Sequence, residues 1–119
     1  MSNPNLLSLS AVNILSKSKH LTNSNLNIID AITTGHVTQV DSLLLVNLST
    51  VNTVDAYICH YDASDTITGV IANSITLAAK STLDVINRPI MLNEGDCIFG
   101  KSSVANGIDA IASWKDMSS

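Results

Sequence analysis

Val54-Asp55-Ala56-Tyr57-Ile58-Cys59-His60-Tyr61, closed by Asp62-Ala63-Ser64-Asp65, is the stretch whose reading decides the fold. Side chains of an extended strand alternate between two faces, so Val54, Ala56, Ile58 and His60 share one side and Asp55, Tyr57, Cys59 and Tyr61 the other. The polar tetrad that follows has the length of a hairpin connection. A return strand is expected over residues 66–72, with Ile67 and Ile71 in phase and Gly69 interrupting it.

Outward from this unit the same grammar repeats. Over residues 37–47, Leu43 and Leu45 fall on one face and Ser42, Leu44 and Val46 on the other, a strand apolar on both sides at its centre and therefore internal. Residues 47–52 read as a turn. Downstream, Ile75, Leu77, Leu83 and Val85 carry the pattern across the polar Lys80-Ser81, with a short helix over 78–83 as the competing reading. Asn87-Arg88-Pro89 is a turn, and Pro89, which has no N–H to donate, belongs at a strand start or edge. Gly95 in Asn93-Glu94-Gly95-Asp96 supplies the positive φ that a tight reversal often needs. After Cys97-Ile98-Phe99-Gly100, the Asn106-Gly107 dipeptide is the strongest hairpin signal of the chain. Ile108, Ala110, Ala112 and Trp114 share a face in the closing strand.

Strands recurring every ten residues or so, without a sustained helical period, predict an all-β domain, a β-sandwich or jelly roll of about seven to nine strands. Residues 1–36 read differently, as an N-terminal arm with opening strands set before a sandwich core over 37–119, within a single domain overall. Asn and Ser punctuate the segment, and a polar loop over 16–25 and a second strand over 26–32 are expected. Leu6, Leu7, Leu9, Val12 and Ile14 are too apolar for a freely solvated tail. They are candidate subunit contacts.

Composition narrows the functional classes. The net charge of −4 and the six Lys and Arg residues speak against a nucleic-acid partner, which needs cations in number to meet phosphates. No run approaches the roughly 20 apolar residues of a membrane span, and no basic stretch followed by an apolar run marks a signal peptide at the start. Asn, Ser and Thr supply roughly a third of the chain and charged residues only 13%, which favours a protein packed among neighbours over one held apart by charge repulsion. With one Phe, two Tyr and one Trp, the core must be aliphatic. Tyr57 and Trp114 are then candidates for a contact surface, where aromatics are enriched, with core filling as the alternative.

No catalytic constellation is legible, and no enzymatic activity, cofactor or metal is expected. His60 and Cys59 are adjacent on one strand and point to opposite faces, so they cannot act as base and nucleophile together. His20 and His36 read as loop residues without partners. Asp55, Asp62, Asp65, Glu94 and Asp96 read as turn residues, since the ordered oxygens of a calcium loop are missing. Cys59 and Cys97, without CxxC spacing, are expected to be reduced and mostly buried.

Ser42-Leu43-Leu44-Leu45-Val46-Asn47, Val54-Asp55-Ala56-Tyr57-Ile58, Ile90-Met91-Leu92-Asn93-Glu94-Gly95-Asp96 and the closing Ala110-Ile111-Ala112-Ser113-Trp114-Lys115-Asp116-Met117-Ser118 form an ordered set. In order and spacing it resembles small virion structural proteins of tailed bacteriophages, particularly those of cyanophages and other aquatic phages. The likeness covers residues 37–119 and departs at Trp114 and Asp116, where that group more often has Tyr and Glu. It implies a non-enzymatic subunit, made in the host cytoplasm and installed in the virion as a homo-oligomer. Its partners would be other virion proteins: the major capsid protein for a head decoration or cement protein, or neck or tail proteins. A carbohydrate- or receptor-binding module and a jelly-roll enzyme of cupin type are the competing classes. The first needs exposed aromatics and the second clustered His and Glu ligands.

Overall fold

The computed structural model describes residues 11–118 and contains nine strands: β1 (Ala11–Leu21), β2 (Leu26–Ile29), β3 (His36–Asn47), β4 (Val54–Asp62), β5 (Ile67–Leu77), β6 (Thr82–Asp84), β7 (Ile90–Leu92), β8 (Cys97–Ser102) and β9 (Ile108–Ser118). They form two antiparallel sheets. One has the order β1-β9-β3-β6, with β7 also on β3, and the other the order β2-β8-β4-β5. β6 pairs with Leu44, Leu45 and Val46, while β7 pairs with Thr38, Gln39 and Val40. The two short strands thus make one broken edge along β3. Pro89 stands directly before β7, where its missing N–H costs no ladder bond. The chain passes repeatedly from sheet to sheet, which is the connectivity of a jelly roll.

One face of each sheet is buried against the other. Val40, Leu43 and Leu45 of β3, Ala56 and Ile58 of β4, Ile98 of β8 and Ile108, Ala110 and Ala112 of β9 meet between the layers. Each large aliphatic side chain so buried contributes about 1.5–3 kcal/mol. The packing is tight at Gly100 of β8, where a Cβ would lie 2.6 Å from Ile58 Cδ1 and 2.8 Å from the Tyr57 carbonyl oxygen. A methyl can push a side chain aside, but the backbone carbonyl belongs to the neighbouring strand of the ladder. Gly100→Ala is therefore expected to cost about 2–3 kcal/mol through overpacking, read as a lower urea midpoint at unchanged m-value.

Several expectations are corrected. The polar loop over 16–25 shrinks to residues 22–25, because β1 runs to Leu21 and pairs with β9 along its whole described length, from Ala11↔Ser118 to Leu21↔Ile108. Polar residues on both faces of Ser16 to His20 hide a strand that its neighbour holds. The strand expected over 26–32 ends at Ile29. No helix forms over 78–83; β5 continues to Leu77 and a turn leads to β6. Asn106-Gly107 does not close a hairpin, since β8 and β9 lie in different sheets. Asn106 takes a positive φ of 58° and donates its N–H to the Leu21 carbonyl, turning the chain across the sandwich. Asn93 to Asp96 crosses between sheets in the same way, with Gly95 at φ 86°. A turn dipeptide encodes a local reversal, not the sheet that the next strand joins.

Candidate assembly surface

β1 is the outermost strand of its sheet, and among the described residues its second edge has no strand partner. Such an edge presents a row of free N–H and C=O groups that can template pairing with another chain. Its two halves differ. By the register with β9, Leu15, Lys17, Lys19 and Leu21 point toward the sandwich interior and Val12, Ile14, Ser16, Ser18 and His20 away from it. Inward-pointing charges are a known guard against edge pairing, and Lys17 and Lys19 occupy such positions. Lys19 donates to the Asn27 carbonyl and lies 4.0 Å from the Asp30 carboxylate. The first half of β1 has no charge, and it exposes Val12 (52%) and Ile14 (78%).

Across the outer face the cross-strand rows mix apolar and polar residues, and Val37 is buried. Val12 lies opposite Met117, which lies opposite Val37; Ile14 lies opposite Lys115, then Gln39, then the exposed Met91. Lys115 is drawn sideways to Asp41, 3.5 Å away.

The candidate contact residues do not share one surface. Val12 and Ile14 stand together on β1, while Leu6, Leu7 and Leu9 lie outside the described residues. Trp114 turns inward, opposite Leu15 on one side and Val40 on the other, and packs against the margin of the core. It lines a groove of about 180 Å³ between the sheets with Leu15, Ile28 and Ile29, and with the charged Lys17, Asp30 and Asp116. Tyr57 stands on the outer face of the opposite sheet, with Lys101 Nζ 5.4 Å from its ring centroid. Leu15, Met91 and Met117 were not foreseen. Only the strand register reveals which way they point.

The histidines also correct the earlier reading. His20 and His36 are strand residues, and all three histidines of the chain face an aspartate. His20 Nδ1 contacts Asp109 across the β1–β9 ladder, His36 Nδ1 lies 3.1 Å from the Asp116 carboxylate, and His60 Nε2 lies 3.6 Å from Asp96. Cys59 points to the face opposite His60, so this pair acquires no nucleophile. Among the described residues no group of three or more His, Cys, Asp or Glu side chains could hold a metal ion.

Cys59 is buried, Cys97 is half-buried, and both are free. Cys59 lies opposite Phe99 and Cys97 opposite Tyr61, which makes the cysteines diagonal neighbours on adjacent strands. Such neighbours are roughly 7–8 Å apart, too far for a disulfide without moving the backbone. Burial, and then the charges of Asp96 and Asp30, push the Cys97 thiol above its ordinary range. It is thereby kept in the unreactive protonated form.

No protein-family model matches this chain, and no curated protein does either. Solved structures do. A protein of an archaeal virus, described for its triple jelly roll fold and turret assembly, aligns with a TM-score of 0.56 at 13% identity, over 93% of this chain and 30% of that one. A subunit of Bacillus endospore appendages, described as disulfide-linked pili, aligns at 0.52 and 13% identity, over 92% of this chain and 87% of that one. The protein of infectious bursal virus-derived T=1 particles aligns at 0.51 and 11% identity, over 92% and 32%. The chain thus spans most of the pilus subunit and about a third of each viral protein. At these identities the likeness is one of fold, and the fold is a jelly roll.

Proposed function

We propose that this protein is a non-enzymatic structural subunit of a viral particle, a decoration or cement protein on a bacteriophage head that associates with copies of itself and with the major capsid protein. The observation that carries the reading is the uncharged half of the β1 edge, where Val12 and Ile14 stand exposed on a strand that has no second partner among the described residues. A strand left open and apolar is an aggregation hazard in a solitary protein and a docking element in an assembled one. The fold is one that archaeal-virus and bursal-virus particle proteins use, which supports a place in a particle shell. A site at the neck or tail would use the same surface toward a different partner. Leu6, Leu7 and Leu9 precede β1 in sequence and are proposed to join the same contact. Trp114 and Leu15 would receive a neighbour's apolar side chain in their groove.

Introducing Val12→Lys with Ile14→Lys is expected to convert an oligomer to monomer in native mass spectrometry while leaving the circular dichroism unchanged. Two aliphatic side chains removed from an interface are worth about 3 kcal/mol or more, a weakening of roughly 100-fold. A wild-type chain that stays monomeric at high concentration, or an oligomer indifferent to both lysines, overturns the surface. Purified virions in which mass spectrometry finds no trace of the chain overturn the particle.

A further inference from the structure

The outer face of the β2-β8-β4-β5 sheet carries a cavity of about 240 Å³ that assembly through β1 does not use. Tyr57 is its aromatic lining residue, and Asp55, Lys101, Asn23, Ser74 and Ser103 line it as well. The polar groups are held in place. The Asp55 carboxylate accepts the Thr76 hydroxyl at 2.7 Å, and Ser103 Oγ accepts the Asp55 N–H at 3.0 Å while the Ser103 N–H donates to the Asp55 carbonyl at 2.9 Å. Lys101 Nζ lies over the Tyr57 ring, 5.4 Å from its centroid.

The chemistry of this set selects a ligand class. An anionic ligand would meet the Asp55 carboxylate and a cationic one the Lys101 ammonium, so opposite charges on the flanks disfavour both. What remains is a neutral molecule rich in groups that donate and accept at once. Asp55 would accept from such groups, Lys101 would donate to them, and the amide and two serine hydroxyls do both. The aromatic wall requires a flat apolar face as well, whose C–H dipoles meet the negative face of the ring. A pyranose sugar combines equatorial hydroxyls with such a face. The cavity lies below the roughly 300–1,000 Å³ of sites for drug-sized ligands, which limits occupancy to a single ring.

We infer that this cavity binds the terminal neutral pyranose of a glycan, hydrogen-bonded between Asp55 and Lys101 and set against the part of the Tyr57 ring that Lys101 leaves open. The inference is independent of the oligomeric state, so either can fail alone. A glycan array carrying neutral, sialylated and sulfated termini, followed by NMR titration with the preferred free monosaccharide, tests it. Expected are binding to neutral termini and a loss of at least 10-fold in Tyr57→Ala and in Asp55→Ala, with Tyr57→Phe retaining it. Should Tyr57→Ala disturb folding, Lys101→Ala, which removes an exposed side chain and its contact with the Tyr57 ring, should weaken binding in the same sense. Failure to bind any neutral glycan, selective binding of acidic termini, or affinity unchanged in both Asp55→Ala and Lys101→Ala overturns the assignment.

Discussion

Replacing Asn47 by leucine is expected to lower the stability of the fold by about 3–5 kcal/mol, although the two side chains have the same number of heavy atoms and the same branching. Asn47 ends β3 and is 1% exposed. Its Nδ2 shares two hydrogens among the carbonyls of Asn52 and Leu77, both at 3.0 Å, and of Ala78 at 3.1 Å, and its Oδ1 accepts the Ser49 N–H at 2.9 Å. One amide therefore satisfies backbone groups from the β3–β4 connection, the end of β5 and the turn after it. Leucine would keep the apolar contacts and strand these groups, at about 1–3 kcal/mol for each one that water cannot reach. Of a total stability of roughly 5–15 kcal/mol, that is a large share. Urea denaturation should show a lower midpoint with the slope preserved. Asn47→Asp discriminates further, since it retains the acceptor for Ser49 but turns an anion toward three carbonyl oxygens. It should be at least as damaging as leucine. A loss below about 1 kcal/mol in the leucine variant would show that the network stabilises little.

Asn47 also shows where sequence reading stops. The strands with one face in the core were legible, because burial imposes the two-residue period: Val54, Ala56 and Ile58 in β4, and Ile108, Ala110 and Ala112 in β9. β1 was hidden because Ser16, Ser18 and His20 on one face and Lys17 and Lys19 on the other leave no such period. Its existence rests on eleven paired positions with β9, a long-range fact. Asn47 reads as the start of a turn and Asp96 as a turn cap. Neither residue type reveals that the fold would bury it and bring three segments to it. The candidate assembly surface was half legible in the same sense. An excess of aliphatics at the start of the chain marks Val12 and Ile14 as needing cover. That Trp114 turns inward beside Leu15 while Tyr57 faces out on the other sheet follows from register alone.

Asp96→Ala is the second substitution with a large expected effect, about 3–5 kcal/mol, and it acts at the opposite end of the sandwich. The carboxylate is 2% exposed; Oδ1 accepts the Ala63 N–H at 2.9 Å and Oδ2 the Asn93 N–H at 3.0 Å. The backbone carbonyl of Asp96 accepts the Ile32 N–H at 3.0 Å, and Gly95 donates to the Ile32 carbonyl at 2.9 Å. The β2–β3, β4–β5 and β7–β8 connections thus converge on one residue. Hydrogen bonds to a charged acceptor are worth about 1.5–3 kcal/mol each, and alanine removes two. It also leaves buried His60 Nε2, which has no hydrogen-bond partner among the described residues, without the carboxylate beside it. Asp96→Asn keeps one acceptor oxygen and turns an NH₂ toward the other N–H, so it should fall between wild type and alanine. Hydrogen exchange should locate the damage, with the Ala63 and Asn93 amides losing protection first. An alanine variant as stable as the asparagine one would mean that the carboxylate ties nothing together. The β1–β9 ladder does not run through Asp96. Under conditions where the alanine variant remains folded, association through Val12 and Ile14 should survive, whereas Val12→Lys with Ile14→Lys should abolish it without lowering the unfolding midpoint. Opposite responses of stability and association in the two variants would separate the residues that hold the jelly roll from those that join one copy to the next.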